Sequence, residues 1–228
     1  MKAAVKCLYL TLIFALGCVS CSNSSKKNSS SSPAAVVDYE LSNGLKIMVL
    51  RDKKLPFLNV GLLLSVNAAF DPIGKSGLND ITASLLERGT TKKSATEIAE
   101  ALGQMGTSFS SMTNYDYTYL STSALSEDED RILNLFFELA LEPAFLDKEV
   151  SRIKSEYIAS IKRSYDDPKS IASRFFRPFL FGAHPYGRSV SGSERDVQSI
   201  QRADILSHFQ NHFIPNAAML ILVGDVSE

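Results

Sequence analysis

Apolar positions along this chain alternate between a helical and a strand period, and the changes of period mark the elements. Between Gly77 and Thr90, Leu78, Ile81, Leu85 and Leu86 recur at i, i+3 and i+4 spacing, which predicts one short helix with an apolar stripe. Ser76 is placed to cap its start and Gly89 to close its end in a left-handed conformation. Upstream, residues 39–50 read as a β-hairpin with Asn43-Gly44 at the turn. Residues 57–68 form a nearly continuous apolar strand, the mark of a central position in a sheet. Downstream, Ser94 and Glu97 make a capping box for a helix to about Met105, and residues 107–112 and 116–125 alternate as a second hairpin. Ser126 and Glu129 suggest another capping box, for a helix to about Leu141. Asp147 is expected to cap a long helix to about Tyr165, with Val150, Ile153, Tyr157 and Ile161 on one face. Pro168 suits the first turn of the next helix, 182–192 reads as a loop, 202–213 as a helix and 217–226 as an apolar strand. The order β-β-α-α-β-β-α-α-α-α-β, rich in hairpins and without internal repeats, predicts an α+β fold with helices on one face of a mainly antiparallel sheet.

Composition narrows the class. The chain has 228 residues, 45% hydrophobic and 21% charged, enough to bury a core. A net charge of −1 gives no electrostatic basis for nucleic-acid binding. The N-terminus departs from the rest. Met1 to Lys6 is a short basic segment and Leu8 to Leu16 an apolar run too short to span a bilayer, together a secretory signal. Ala15-Leu16-Gly17-Cys18 resembles a bacterial lipobox, with Cys18 as the lipidated residue and Cys21 as the alternative. A conventional cleaved signal is the competing reading. Cys7, Cys18 and Cys21 are the only cysteines, so the rest of the chain has no thiol chemistry. The expected organisation is a lipoprotein signal at 1–18, a flexible Ser-rich tether at 19–35 and a folded domain at 36–228. Such a protein is expected to be exported and to meet a bacterial membrane only through its lipid anchor, on the periplasmic side or the cell surface.

Asp80 and Ser84 sit one turn apart on the helix that opens at Gly77. An i, i+4 pair can grip a metal ion, but one carboxylate and one hydroxyl make a weak donor set.

The ordered series Tyr39, Leu41 and Asn43 to Ile47, then Gly77-Leu78 and Gly89-Thr90, is similar to the start of a peptidase M16 domain (insulinase, pitrilysin and mitochondrial processing peptidase). Ile98, Leu102 and Gly103, Tyr115 to Thr118, Leu141, Pro143 and Phe145, and Ala183 to Arg188 continue the likeness. Asp204 to Leu206, Phe209, Phe213, Pro215, Asn216 and Val223 to Asp225 extend it to the end of the chain. The resemblance implies the LuxS/metallohydrolase-like α+β domain, used in pairs that close around peptide substrates. In active members a His-x-x-Glu-His motif on the helix after the Gly-Leu pair and a distal Glu bind zinc. Here the two His positions fall on Asp80 and Ser84, the general-base Glu position on Ala83 and the distal Glu position on Ser160. A supporting acidic position falls on Ile153. With one carboxylate among the ligands and no base, no zinc is expected to bind and no catalytic residue is assigned. The competing reading places Ca²⁺ or Mg²⁺ on Asp80 with nearby carboxylates, although such ions need several oxygens.

Other groups read as structural. His208 and His212 are expected on one polar helix face, His184 in a loop, and Ser191-Gly192-Ser193 in a turn. Glu127 to Asp130 reads as the acidic first turn of a helix. Arg174, Phe175, Phe176 and Arg177, with Phe179 and Phe181, could form an interface; a core helix with Arg at its edges is the preferred reading. The expected function is that of a non-catalytic M16 homologue working with an active M16 peptidase subunit, or with its own missing C-terminal half, on peptides in a shared chamber. An autonomous peptide-binding or scaffold lipoprotein, and a metal-dependent endopeptidase with atypical ligands, are the alternatives. Ending at Glu228 is expected to leave the last strand as an exposed sheet edge, so the domain reads as incomplete.

Overall fold

The computed structural model describes residues 36–227; the signal, the tether and both candidate lipidation sites, Cys18 and Cys21, lie outside the described residues. The first hairpin forms as expected. β1 (Val36–Glu40) runs antiparallel to β2 (Lys46–Arg51) in the register Tyr39↔Ile47. Asn43 Oδ1 accepts the Leu45 N–H at 3.1 Å and Gly44 takes φ 84°, which closes the turn. β3 (Phe57–Leu64) follows, then α1 (Leu78–Leu85) and α2 (Ala95–Gln104). The capping box of α2 is present in full, with Ser94 and Glu97 each bonded to the other's backbone. β4 (Ser110–Thr113) and β5 (Thr118–Leu125) form the second hairpin. The helices α3 (Glu129–Leu141), α4 (Asp147–Ser164), α5 (Pro168–Phe181), α6 (Glu194–Ser199) and α7 (Arg202–His212) lead to β6 (Ala218–Gly224).

The strands make one six-stranded sheet in the order β1-β2-β6-β3-β5-β4. Four pairings are antiparallel, and β6 runs parallel to β2. The last strand therefore inserts between β2 (Ile47↔Leu220) and β3 (Val60↔Leu222). This corrects the expectation of an exposed final edge: β6 is paired on both sides, and the edges are β1 and β4. Alternation along the strands sends Leu58, Val60, Leu62, Leu64, Leu120, Ala124 and Leu220 to the helical side, all buried. Leu78, Ile81 and Leu85 of α1 with Leu86 just after it, Ile132, Phe136 and Leu139 of α3, and Val150, Ile153 and Ile161 of α4 complete that core.

Local details depart from the sequence reading. Ser126 does not cap α3: a short 3₁₀ turn, Ser126–Asp128, precedes that helix, and the Glu129 carboxylate accepts the Ser227 N–H instead. Leu146 occupies the N-cap position of α4, with Asp147 as its first helical residue. α6 was not foreseen; it is six residues long, too short for a periodicity, and is marked only by its cap, Ser193 Oγ accepting the Asp196 N–H at 3.1 Å. His208 is buried at 5% exposure, so α7 does not present it on a polar face. The aromatic helix α5 has no buried residue at all, which reverses the core reading.

Candidate functional site

The N-terminus of α1 is built by residues that sequence spacing did not identify. Ser76 gives no side-chain cap; Gly77 is the N-cap residue, at φ 96°. The buried Asp71 carboxylate does the capping from the preceding loop, accepting the Gly77 N–H at 2.7 Å and the Asn79 N–H at 2.8 Å. Arg188 holds that loop by donating to the carbonyl oxygen of Asp71 at 2.7 Å. Burial pushes the Asp71 carboxyl up to about 7 against the pull of the two N–H donors and Arg188. Gly77 matters for a second reason: a Cβ there would lie 3.0 Å from the Ser191 carbonyl oxygen, so its absence lets the 189–193 turn press onto the start of α1. At the other end, α1 stops at Leu85, short of Gly89, which instead bridges to Ser94. Asn79, fully buried, ties the helix to its neighbours through Thr118 Oγ1 at 2.7 Å and His208 Nε2 at 2.9 Å. Burial, and then the neighbouring His212, lower His208 to about 4, so its ring is neutral and its Nε2–H donates to Asn79.

Asp80 and Ser160 line one cleft and Ser84 lies behind Tyr157, and the three are not joined as ligands. Asp80 and Ser84 meet at Tyr157 of α4. Ser84 Oγ lies 2.8 Å from the Tyr157 Oη, and the Tyr157 and Ser191 hydroxyls stand beside the Asp80 carboxylate and favour its charged form. Either hydroxyl of the Ser84–Tyr157 pair can be the donor, and a carboxylate only accepts, so a hydroxyl that turns to ionised Asp80 does so as a donor. Burial pushes Asp80 up to about 6, moderated by Tyr157 and Ser191. Burial, followed by the Asp80 charge, moves Tyr157 well above its ordinary value. Ala83 is a buried methyl in the core, and Ile153 is buried on the facing helix. Ser160 is exposed and lines the cleft one turn beyond Tyr157.

The donor set does not fit zinc. Zinc takes imidazole, thiolate or carboxylate, and here one carboxylate stands with two serines at the ligand positions, Ser84 being hydrogen-bonded to Tyr157. Among the described residues, no group of three or more His, Cys, Asp or Glu is arranged to hold a metal ion. The nearby Asp71 has both oxygens occupied by backbone N–H groups, which leaves Ca²⁺ or Mg²⁺ with little more than Asp80.

The site opens on a cleft of about 1260 Å³ between α1, α4, α5 and the 187–193 loop. Most of the residues that line it are polar or charged, among them Arg163, Lys169, Arg174, Arg177 and Arg188 together with Glu156, Asp167, Asp196 and Asp80. Several of these side chains are already engaged. Arg177 stacks 4.1 Å over the Tyr115 ring and donates to the Tyr186 carbonyl at 3.2 Å, and Arg174 lies 5.1 Å over Tyr165. The sequence marked Asp80, Ala83, Ser84 and Ser160; it did not mark Asp71, Tyr157 or Ser191. In the sequence Tyr157 reads only as part of the apolar face of α4, and nothing local to the turn around Ser191 says that its hydroxyl stands beside Asp80.

The family model for insulinase (peptidase family M16) matches residues 46–194. Among relatives, a protein of Rickettsia felis described as an uncharacterised zinc protease is 22% identical over 187 residues, covering 82% of this chain and 45% of the relative. A Helicobacter pylori protein described as a non-peptidase homologue is 23% identical over 195 residues, 85% of this chain and 45% of its own length. The chain thus spans about half the length of the curated relatives it matches. Of solved structures, a peptidase M16 inactive domain from Pseudomonas fluorescens superposes with a TM-score of 0.80 at 24% identity, over 85% of this chain and 47% of that one. The periplasmic protease PqqL of Escherichia coli gives 0.77 at 21% identity, over 85% and 22%. These likenesses to solved structures establish the fold: a six-stranded mixed sheet with helices packed against it. Taken with the match over residues 46–194, they mean that this chain belongs to the M16 (insulinase) peptidase family.

Proposed function

We propose that the chain is a non-catalytic M16 homologue that works beside an active zinc metallopeptidase of the same family and forms part of the wall of its peptide chamber. One observation carries this reading. Where active members place two His ligands, this chain has Asp80 and Ser84, with Ser84 hydrogen-bonded to Tyr157 and Asp80 beside the same hydroxyl, and Ala83 stands at the general-base position. A water beside this helix has no carboxylate base at that position to take its proton. The names of the H. pylori relative and of the P. fluorescens domain, a non-peptidase homologue and an inactive domain, support the same view.

The leader ending in Ala15-Leu16-Gly17-Cys18 supports export and anchoring through lipid on Cys18, with Cys21 as the alternative. Among the described residues, no helix is long and apolar enough to cross a membrane, and PqqL, a structural neighbour, is described as periplasmic. The test is cleavage of a quenched-fluorescent peptide library by the purified full chain, alone and with added zinc. The proposal expects no turnover in either case. Turnover that a chelator abolishes would overturn it and restore the reading of a metal-dependent endopeptidase with atypical ligands.

A further inference from the structure

The cleft beside Asp80 is lined by more positive charge than its own carboxylates offset. Arg163 in the last turn of α4, Lys169, Arg174 and Arg177 of α5, and Arg188 of the following loop all line it. Among the described residues, none of these five cations lies within ion-pairing distance of a carboxylate. Arg174 and Arg177 rest on the Tyr165 and Tyr115 rings, and Arg188 donates to the Asp71 carbonyl oxygen. These contacts hold the side chains in place without neutralising them. Arg163 and Lys169 are exposed. The carboxylates on the same walls are fewer in effect than in number. Glu156 accepts from Arg152 Nε at 3.0 Å, and Asp167 accepts the Ser170 N–H at 2.9 Å as the cap of α5. Asp80 and Asp196 are left against the five cations. A cleft with an excess of one sign of charge concentrates ligands of the other.

We propose that this cleft binds peptides through their acidic side chains, with Arg163, Lys169 and Arg174 as the groups that select them; this deepens the chamber reading above and rests on it. Size and shape support an extended ligand. At about 1260 Å³ the cleft exceeds the roughly 300–1,000 Å³ of a small-molecule pocket. Lys169, Ser173 and Arg177 follow one another at four-residue steps, so they form a stripe about 12 Å long on α5, with about 6 Å between successive members. Alternate side chains of an extended peptide share a face and stand about 6.6 Å apart. Acidic residues two apart in such a peptide therefore match successive turns of the stripe. Ser160 and Ser173 are exposed and line the same cleft, and their hydroxyls can donate to a carboxylate or to a peptide carbonyl. A basic peptide would meet the five cations with only Asp80 and Asp196 to receive it.

Fluorescence anisotropy of labelled peptides with the purified full chain tests the assignment. The probes are a Glu-rich peptide and a peptide of the same length with Lys in place of each Glu. The Glu-rich peptide is expected to bind about tenfold more tightly at low ionic strength, and added salt is expected to narrow the difference. Lys169→Glu is expected to weaken binding of the Glu-rich peptide several-fold. Lys53→Glu, an equal change of charge in the turn after β2, is expected to leave it unchanged. Both lysines are exposed, and urea midpoints of the two variants check that the fold is intact. Equal affinity for the two peptides, tighter binding of the Lys-rich one, or equal effects of the two substitutions would overturn the charge selection and leave the chamber reading standing. Binding of neither peptide would count against both.

Discussion

Replacing Asp80 with Asn probes a half-buried carboxylate whose charged form is disfavoured by desolvation. The substitution keeps size and hydrogen-bonding shape, so Tyr157 and Ser191 still have an oxygen to donate to, and it removes the charge. The folded-state carboxyl sits at about 6 against an ordinary value of 3.8. With the folded value raised, the native state holds a proton that the unfolded chain has released between those values. Ionising Asp80 therefore costs stability progressively as pH rises from 3.8 through 6. At 1.36 kcal/mol per unit the cost at pH 8 is on the order of 3 kcal/mol, and somewhat less after the amide is desolvated in its place. Asp80→Asn is expected to be more stable than wild type by about 1–3 kcal/mol at pH 8, and no more stable than wild type at pH 4. Urea unfolding followed by circular dichroism at both pH values measures this, with midpoints compared at constant slope. Lower stability of the variant at pH 8, or a gain that does not depend on pH, would refute the reasoning, because it would mean that the charged carboxylate has a favourable partner in the native state.

Other outcomes follow from the same contacts. Tyr157→Phe removes the only hydroxyl shared by Asp80 and Ser84 and is expected to cost about 1–3 kcal/mol at pH 8, with a smaller loss below pH 5, where Asp80 is protonated; paired urea titrations check it. His208 is held neutral, with its folded value at about 4 beneath the ordinary 6.5, so its contribution to stability is present above 6.5 and is lost as pH falls toward 4; its imidazole resonances in an NMR titration are expected not to shift between pH 8 and 5. Gly77→Ala places a methyl against the Ser191 carbonyl in a left-handed conformation and is expected to lower the melting temperature by several degrees, on the order of 1–3 kcal/mol, as calorimetry would show.

Features set by neighbouring residues were legible before the fold. The Asn43-Gly44 turn, the Ser94–Glu97 capping box, the second hairpin and the α1 stripe all formed where spacing placed them. What depended on distant chain was not legible. Nothing local to residues 217–226 says that β6 enters between β2 and β3. Periodicity in α5 was real, yet a hydrophobic period reports that a helix has two unlike faces and not which one meets the body of the protein. At the site, the replacements Asp80, Ala83, Ser84 and Ser160 were visible only by placing the chain on the M16 pattern. The Tyr157 bridge between them spans 73 residues of sequence from Ser84, and it is this bridge that separates a poor metal site from a closed one.

Calorimetric titration of zinc into the full chain at neutral pH tests the central claim most directly. The account predicts no saturable heat and no change in unfolding temperature with added zinc. Binding of one ion per chain at micromolar or tighter affinity, lost in Asp80→Asn, would contradict it.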